Sequence, residues 1–188
     1  MSQHRHKLVR VVIAIVAMSM LVMSTGLWSS PGVPTAYAIP CGTNCENVTN
    51  TPSVSLPLNG IDQTVSYTLT FSLNKVNAAG WNVTITSTQF TTDSPVQTLA
   101  TAASSVTGVT EVCTAGQTCH TMPLNVVTYP VAVPAGIPAP TAVKFYNASA
   151  NSGFGTFDIS TAINITVPAN AYIGTYTSTI TLAYVTGP

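Results

Sequence analysis

Strict alternation of apolar and polar side chains, repeated in four separate stretches, constrains this chain more than any other feature. Val65, Tyr67, Leu69, Phe71 and Leu73 are apolar, while Ser66, Thr68, Thr70 and Ser72 between them are polar. Trp81, Val83 and Ile85 alternate with Asn82, Thr84 and Thr86, and Phe157, Ile159, Ile163, Ile165 and Val167 continue the pattern over a longer run. Tyr176, Ile180, Leu182 and Tyr184 point one way along a final stretch. Successive side chains of a strand point to opposite faces, so a period of two describes a ribbon with one dry face. No segment carries a helical period.

The intervening segments are less regular. Residues 99–109 are mostly Ala, Ser, Thr and Val with little periodicity and suit a loop or a weak strand. Residues 124–133 are apolar and β-branched, but Pro130 has no N–H for a ladder and places them at an edge or a strand end. Residues 143–146 suit a short strand, and Pro, Gly, Asn and Ser mark the turns. Roughly six to eight short strands separated by such turns predict an all-β fold, an antiparallel β-sandwich. No internal repeat of fixed period is present.

The amino end has a different pattern. Arg5, Lys7 and Arg10 precede an apolar run, residues 11–27, interrupted only by Ser19, Ser24, Thr25 and Gly26. Ala36-Tyr37-Ala38 follows, a small-x-small cleavage pattern, so residues 1–38 are expected to be a signal peptide cut after Ala38. The alternative is a retained membrane anchor, because the run approaches the roughly 17–25 apolar residues that span a bilayer. Removing 38 of 188 residues leaves 150, enough for one domain with a real core. Residues 39–60, with Pro40, Pro52 and Pro57, are expected to be an extended lead-in, and residues 61–188 the sandwich.

Cleavage leaves Lys75 and Lys144 against Glu46, Asp62, Asp93, Glu111 and Asp158, a net charge of −3. Two cations cannot supply the phosphate attraction on which nucleic-acid binding relies. Neither nucleic acid nor, after cleavage, a membrane span is expected. Cys41, Cys45, Cys113 and Cys119 all lie in the exported part, where disulfides are favoured over thiols. Four cysteines allow three connectivities. Local pairs, Cys41 with Cys45 and Cys113 with Cys119 around Gly116, are favoured, with a bridge from the lead-in to the second loop as the alternative.

Catalytic chemistry finds little to work with. Nucleophilic catalysis usually needs a base held by a third group. His120 is the one histidine left after cleavage, and it sits beside Cys119 in an expected loop. Cys113, Cys119 and His120 do not have the paired spacing of a zinc site, and the thiols are better explained as a disulfide. The five acids are not clustered, no Asp-x-Asp calcium run occurs, and no glycine-rich phosphate loop is present. No cofactor, metal or enzymatic activity is expected. Acceptor sequons begin at Asn47, Asn82, Asn147 and Asn164. Trp81, Tyr129, Tyr146, Phe154, Tyr172, Tyr176 and Tyr184 are the candidates for a binding surface, against the alternative that Trp81, Tyr67, Phe71 and Tyr184 fill the core.

Ala79-Gly80-Trp81-Asn82-Val83-Thr84-Ile85 followed by Phe90, together with Ile165-Thr166-Val167-Pro168 and Gly174-Thr175-Tyr176-Thr177-Ser178-Thr179-Ile180-Thr181-Leu182, resembles the WxL surface domain of bacteria. The first Trp-x-Leu motif stands here as Trp81-Asn82-Val83, and Tyr184 occupies the place of the second Trp. The resemblance implies a secreted β-rich protein that attaches non-covalently to the bacterial cell wall through peptidoglycan, or to partner surface proteins. Trp81, Val83 and Tyr184 are then the motif positions expected to bind. The competing expectation is a structural subunit of a pilus or extracellular matrix fibre, built by strand addition on Thr-rich, low-charge edges.

Overall fold

The computed structural model describes residues 9–18, 47–50, 52–75 and 79–188. Among them are eleven strands and no helix: β1 (Val9–Met18), β2 (Asn47–Val48), β3 (Ser53–Pro57), β4 (Gln63–Lys75), β5 (Trp81–Thr88), β6 (Ser104–Cys113), β7 (Val131–Ala132), β8 (Ala135–Gly136), β9 (Val143–Ala148), β10 (Gly155–Val167) and β11 (Gly174–Thr186). They form two sheets packed face to face, an all-β sandwich. One runs β3-β1-β11-β5-β8 with β9 also on β5, and the other runs β2-β4-β10-β6-β7. Pairing is antiparallel except at β1/β3 and β5/β8.

The four alternating stretches become β4, β5, β10 and β11, and their apolar rows meet inside. Along β4 and β10, Tyr67 lies opposite Ile163, Leu69 opposite Thr161 and Phe71 opposite Ile159. The facing sheet contributes Val83, Ile85, Ile180 and Leu182, all buried. Burying such side chains contributes roughly 1.5–3 kcal/mol each, which makes the alternation the main source of stability.

Two bulges account for strands whose pattern is broken. On β6 the register against β10 shifts so that Ala162 faces Gly108 while Ile163 faces Val106. Thr107 is the extra residue, and the burial alternation is lost after Val106. Of the loop or weak strand expected over residues 99–109, the strand alternative holds from Ser104 on, within β6. On β9, Val83 faces Tyr146 and Thr84 faces Lys144. The extra residue, Phe145, lets both it and Tyr146 turn inward.

Residues 39–60 are not only a lead-in, because β2 pairs with β4 and β3 pairs with β1. Residues 124–130 form no strand; Asn125 holds them against β9 by accepting the Asn147 N–H at 3.2 Å. Only Val131–Ala132 joins a sheet, on β6. The apolar run at the amino end supplies β1, between β11 and β3. Residues 11–18 are apolar at every position, unlike the alternating strands beside them.

Cys113 and Cys119 are bonded, with Cα atoms 5.9 Å apart, closing the turn at Gly116 where φ is 77°. This excludes a bridge from the lead-in to that loop; Cys41 and Cys45 lie outside the described residues. Closing so short a loop removes about 2 kcal/mol of chain entropy from the unfolded state. Urea unfolding with and without reductant is expected to differ by that amount, and coincident midpoints would contradict it.

Candidate functional site

The motif positions come together, but inside the sandwich. Val83 and Tyr184 are register partners on β5 and β11. The Trp81 ring lies 5.5 Å from that of Tyr146 and 6.2 Å from that of Tyr184, and its Nε1–H donates to the Gly153 oxygen at 3.1 Å. Trp81 and Val83 are 0 % exposed, so neither offers a face to a ligand; Tyr184 is half-buried. Gly153 is required here. Its φ is 70°, and a Cβ would lie 2.7 Å from Trp81 Nε1.

Of the other aromatic candidates, Tyr146 and Tyr176 are buried, and Tyr129 and Phe154 are half-buried. Tyr129 spends its hydroxyl on the Phe145 oxygen at 2.8 Å. Tyr172 alone stands clear, 63 % exposed. His120 is exposed on its loop, its N–H donated to the Phe154 oxygen. Asp158 is held on β10 by the hydroxyls of Ser72 and Thr114. Among the described residues no three His, Cys, Asp or Glu side chains gather as a metal site, and no helix is long and apolar enough to cross a membrane.

Tyr172 belongs to a cleft at one end of the sandwich. The cleft has a volume of about 260 Å³ and is lined by Thr92, Asp93, Ser94, Gln97, Tyr172 and Thr175, among others. Its two walls are the loop after β5 and the turn before β11. Thr91 exchanges backbone hydrogen bonds with Thr177, at 3.0 and 2.9 Å, which clamps the first wall to the second. Within the loop, Thr92 N–H donates to the Gln97 oxygen at 2.9 Å, and the Gln97 N–H donates to Thr92 Oγ1 at 2.8 Å. The Thr92 hydroxyl in turn donates to the Pro95 oxygen.

The second wall is held by Tyr176, whose buried hydroxyl donates to the Tyr172 oxygen at 3.1 Å. Gly174 permits the close approach of the two, since a Cβ there would meet Thr92 Cγ2 at 3.1 Å. The clamped backbone thus presents one carboxylate, one amide, the hydroxyls of Ser94 and Thr175, and one exposed ring. Ile173 and Val96, 65 and 69 % exposed, add apolar surface to the same two segments.

Asp93-Ser94-Pro95 and Gly174 are legible in the sequence as turn signals; that the two turns meet follows from β5 and β11 being neighbours in one sheet. No protein-family model, no curated protein and no solved structure matches the chain.

Proposed function

We propose that this chain is a secreted, non-catalytic surface protein whose end cleft associates non-covalently with a saccharide of the bacterial cell wall. The observation that carries this reading is the exposed Tyr172 ring beside Asp93 and Gln97 in a concave, hydroxyl-rich setting. A tyrosine face stacks on the apolar face of a sugar ring, and flanking carboxylate, amide and hydroxyl groups match its hydroxyls. The cleft lies below the roughly 300–1,000 Å³ of drug-sized pockets, which suits one ring of a polymer rather than a whole small molecule. The leader and the low charge of the rest support an extracellular setting. The buried Trp81 moves the binding role away from the motif positions.

The test is co-sedimentation of the exported protein with washed cell walls at physiological salt. The protein is expected in the pellet, and Tyr172→Ala is expected to weaken binding about tenfold. Its unfolding midpoint should not move, because the ring is mostly exposed. Wild-type protein left in the supernatant sinks the reading; equal binding by the variant sinks the cleft. The second reading, a subunit joined by strand addition, is favoured by one observation: β1 fills a position between β11 and β3 that leader cleavage would vacate.

A further inference from the structure

The sheet edge behind β1 has properties that neither the cleft nor wall binding uses. β1 pairs with β11 over nine positions, from Val9 opposite Leu182 to Ala17 opposite Gly174. It is also the strand partner of β3. Cleavage after Ala38 removes β1 and leaves the β11 edge open. Thr177 N–H donates to the Thr91 oxygen and Thr179 N–H to Thr88 Oγ1, both on the β5 side. Strand alternation turns the N–H groups of Tyr176, Ser178 and Ile180 to the opposite side, where β1 lies. Edges are ordinarily guarded by a lysine, a proline or a bulge. No charged residue occurs from 169 to 188, and residues 174–182 contain no proline.

We infer that a second copy of the chain covers this edge, β11 pairing antiparallel with its counterpart across a two-fold axis at Ser178. The sequence around Ser178 reads nearly the same in both directions. Such pairing sets Thr177 against Thr179, Thr175 against Thr181 and Tyr176 against Ile180 of the other copy. Thr–Thr and aromatic–β-branched pairs are favoured across antiparallel strands. Because Tyr176, Ser178 and Ile180 all present N–H and C=O outward, the three pairs they make are hydrogen-bonded ones, giving about six N–H···O bonds. The register reproduces the positions that β1 occupies.

Other occupants fit less well. β3 is five residues long and ends in Pro57, so closing onto β11 it leaves four of nine edge positions bare. The amino end after cleavage, Ile39-Pro40-Cys41-Gly42, has no alternation to donate as a strand. The pair is closed by its symmetry, in contrast to a fibre. The inference rests on leader removal and is independent of the cleft.

The experiment uses the exported chain, with leader removal checked by intact mass. Light scattering across a concentration series is combined with hydrogen exchange at Tyr176, Ser178 and Ile180. A dimer is expected whose three edge amides lose protection on dilution. Thr177→Lys with Thr179→Lys sets lysine against lysine twice across the axis and should weaken the dimer about tenfold or more. Thr177→Glu with Thr179→Lys sets opposite charges there and should restore it. A monomer at every concentration, protection that ignores dilution, a dimer indifferent to the double lysine, failure of both variants to pair, open filaments by electron microscopy or a retained leader would each overturn the inference. Loss of wall binding with the dimer intact would bear on the cleft alone.

Discussion

Trp81→Ala is expected to remove about 3–5 kcal/mol of stability, the usual cost of truncating a buried aromatic where the site cannot collapse. The cavity would open between Tyr146 and Tyr184, whose rings stand 5.5 and 6.2 Å from the indole. It cannot close readily, because Tyr146 is fixed by the β9 bulge and Gly153 has no side chain to move in. Against a typical total of roughly 5–15 kcal/mol, such a loss brings the fold near its limit. Trp81→Phe keeps most of the volume and loses the hydrogen bond to Gly153, so about 1–2 kcal/mol is expected. Guanidinium unfolding followed by near-ultraviolet circular dichroism measures both. A cost under about 1 kcal/mol for the alanine variant would mean that the ring is not a packing element.

Alkaline pH should unfold the protein steeply. Burial pushes the Tyr67 and Tyr146 hydroxyls well above their ordinary value of 10.0, with the Glu111 carboxylate adding to the effect at Tyr146. In the unfolded chain both ionise near 10, while in the fold both stay protonated. Their contribution is therefore complete below pH 10 and falls as pH rises toward the raised folded values. Each group costs about 1.4 kcal/mol per pH unit in that window, so together they remove about 3 kcal/mol per unit. The Tyr67 hydroxyl is buried with no hydrogen-bond partner among the described residues. Tyr67→Phe should then be neutral or stabilising at pH 7 and should lower the alkaline slope by about half. Unfolding midpoints between pH 8 and 12 give the answer; an unchanged slope in the variant would refute the assignment.

Both predictions depend on positions whose character differs in legibility. Tyr67 and Trp81 lie on rows of alternating residues, and the inward direction of such rows is a local property of the strand. That Trp81 is enclosed rather than displayed is a matter of neighbours: Tyr146 comes from β9 and Gly153 from the loop after it, 72 residues away along the chain. The WxL resemblance marks Trp81, Val83 and Tyr184 as a group, and they do form one, facing inward. Tyr172 stands among the candidate aromatics by type alone. Asp93 and Gln97 carry no signal beyond a turn, because a cleft exists only once two distant turns are set side by side.

The strands β4, β5, β10 and β11 and the sandwich class are determined by the sequence itself, since period and turn chemistry act over a few residues, while the Cys113–Cys119 bridge is the favoured one of the pairings the sequence leaves open. Tertiary structure decided the rest. Bulges make β6 and β9 strands without clean alternation, because one extra residue reverses which face is buried. Sheet order makes the cleft and sets the amino-terminal apolar run beside β11, because strand pairing joins segments without regard to their separation along the chain.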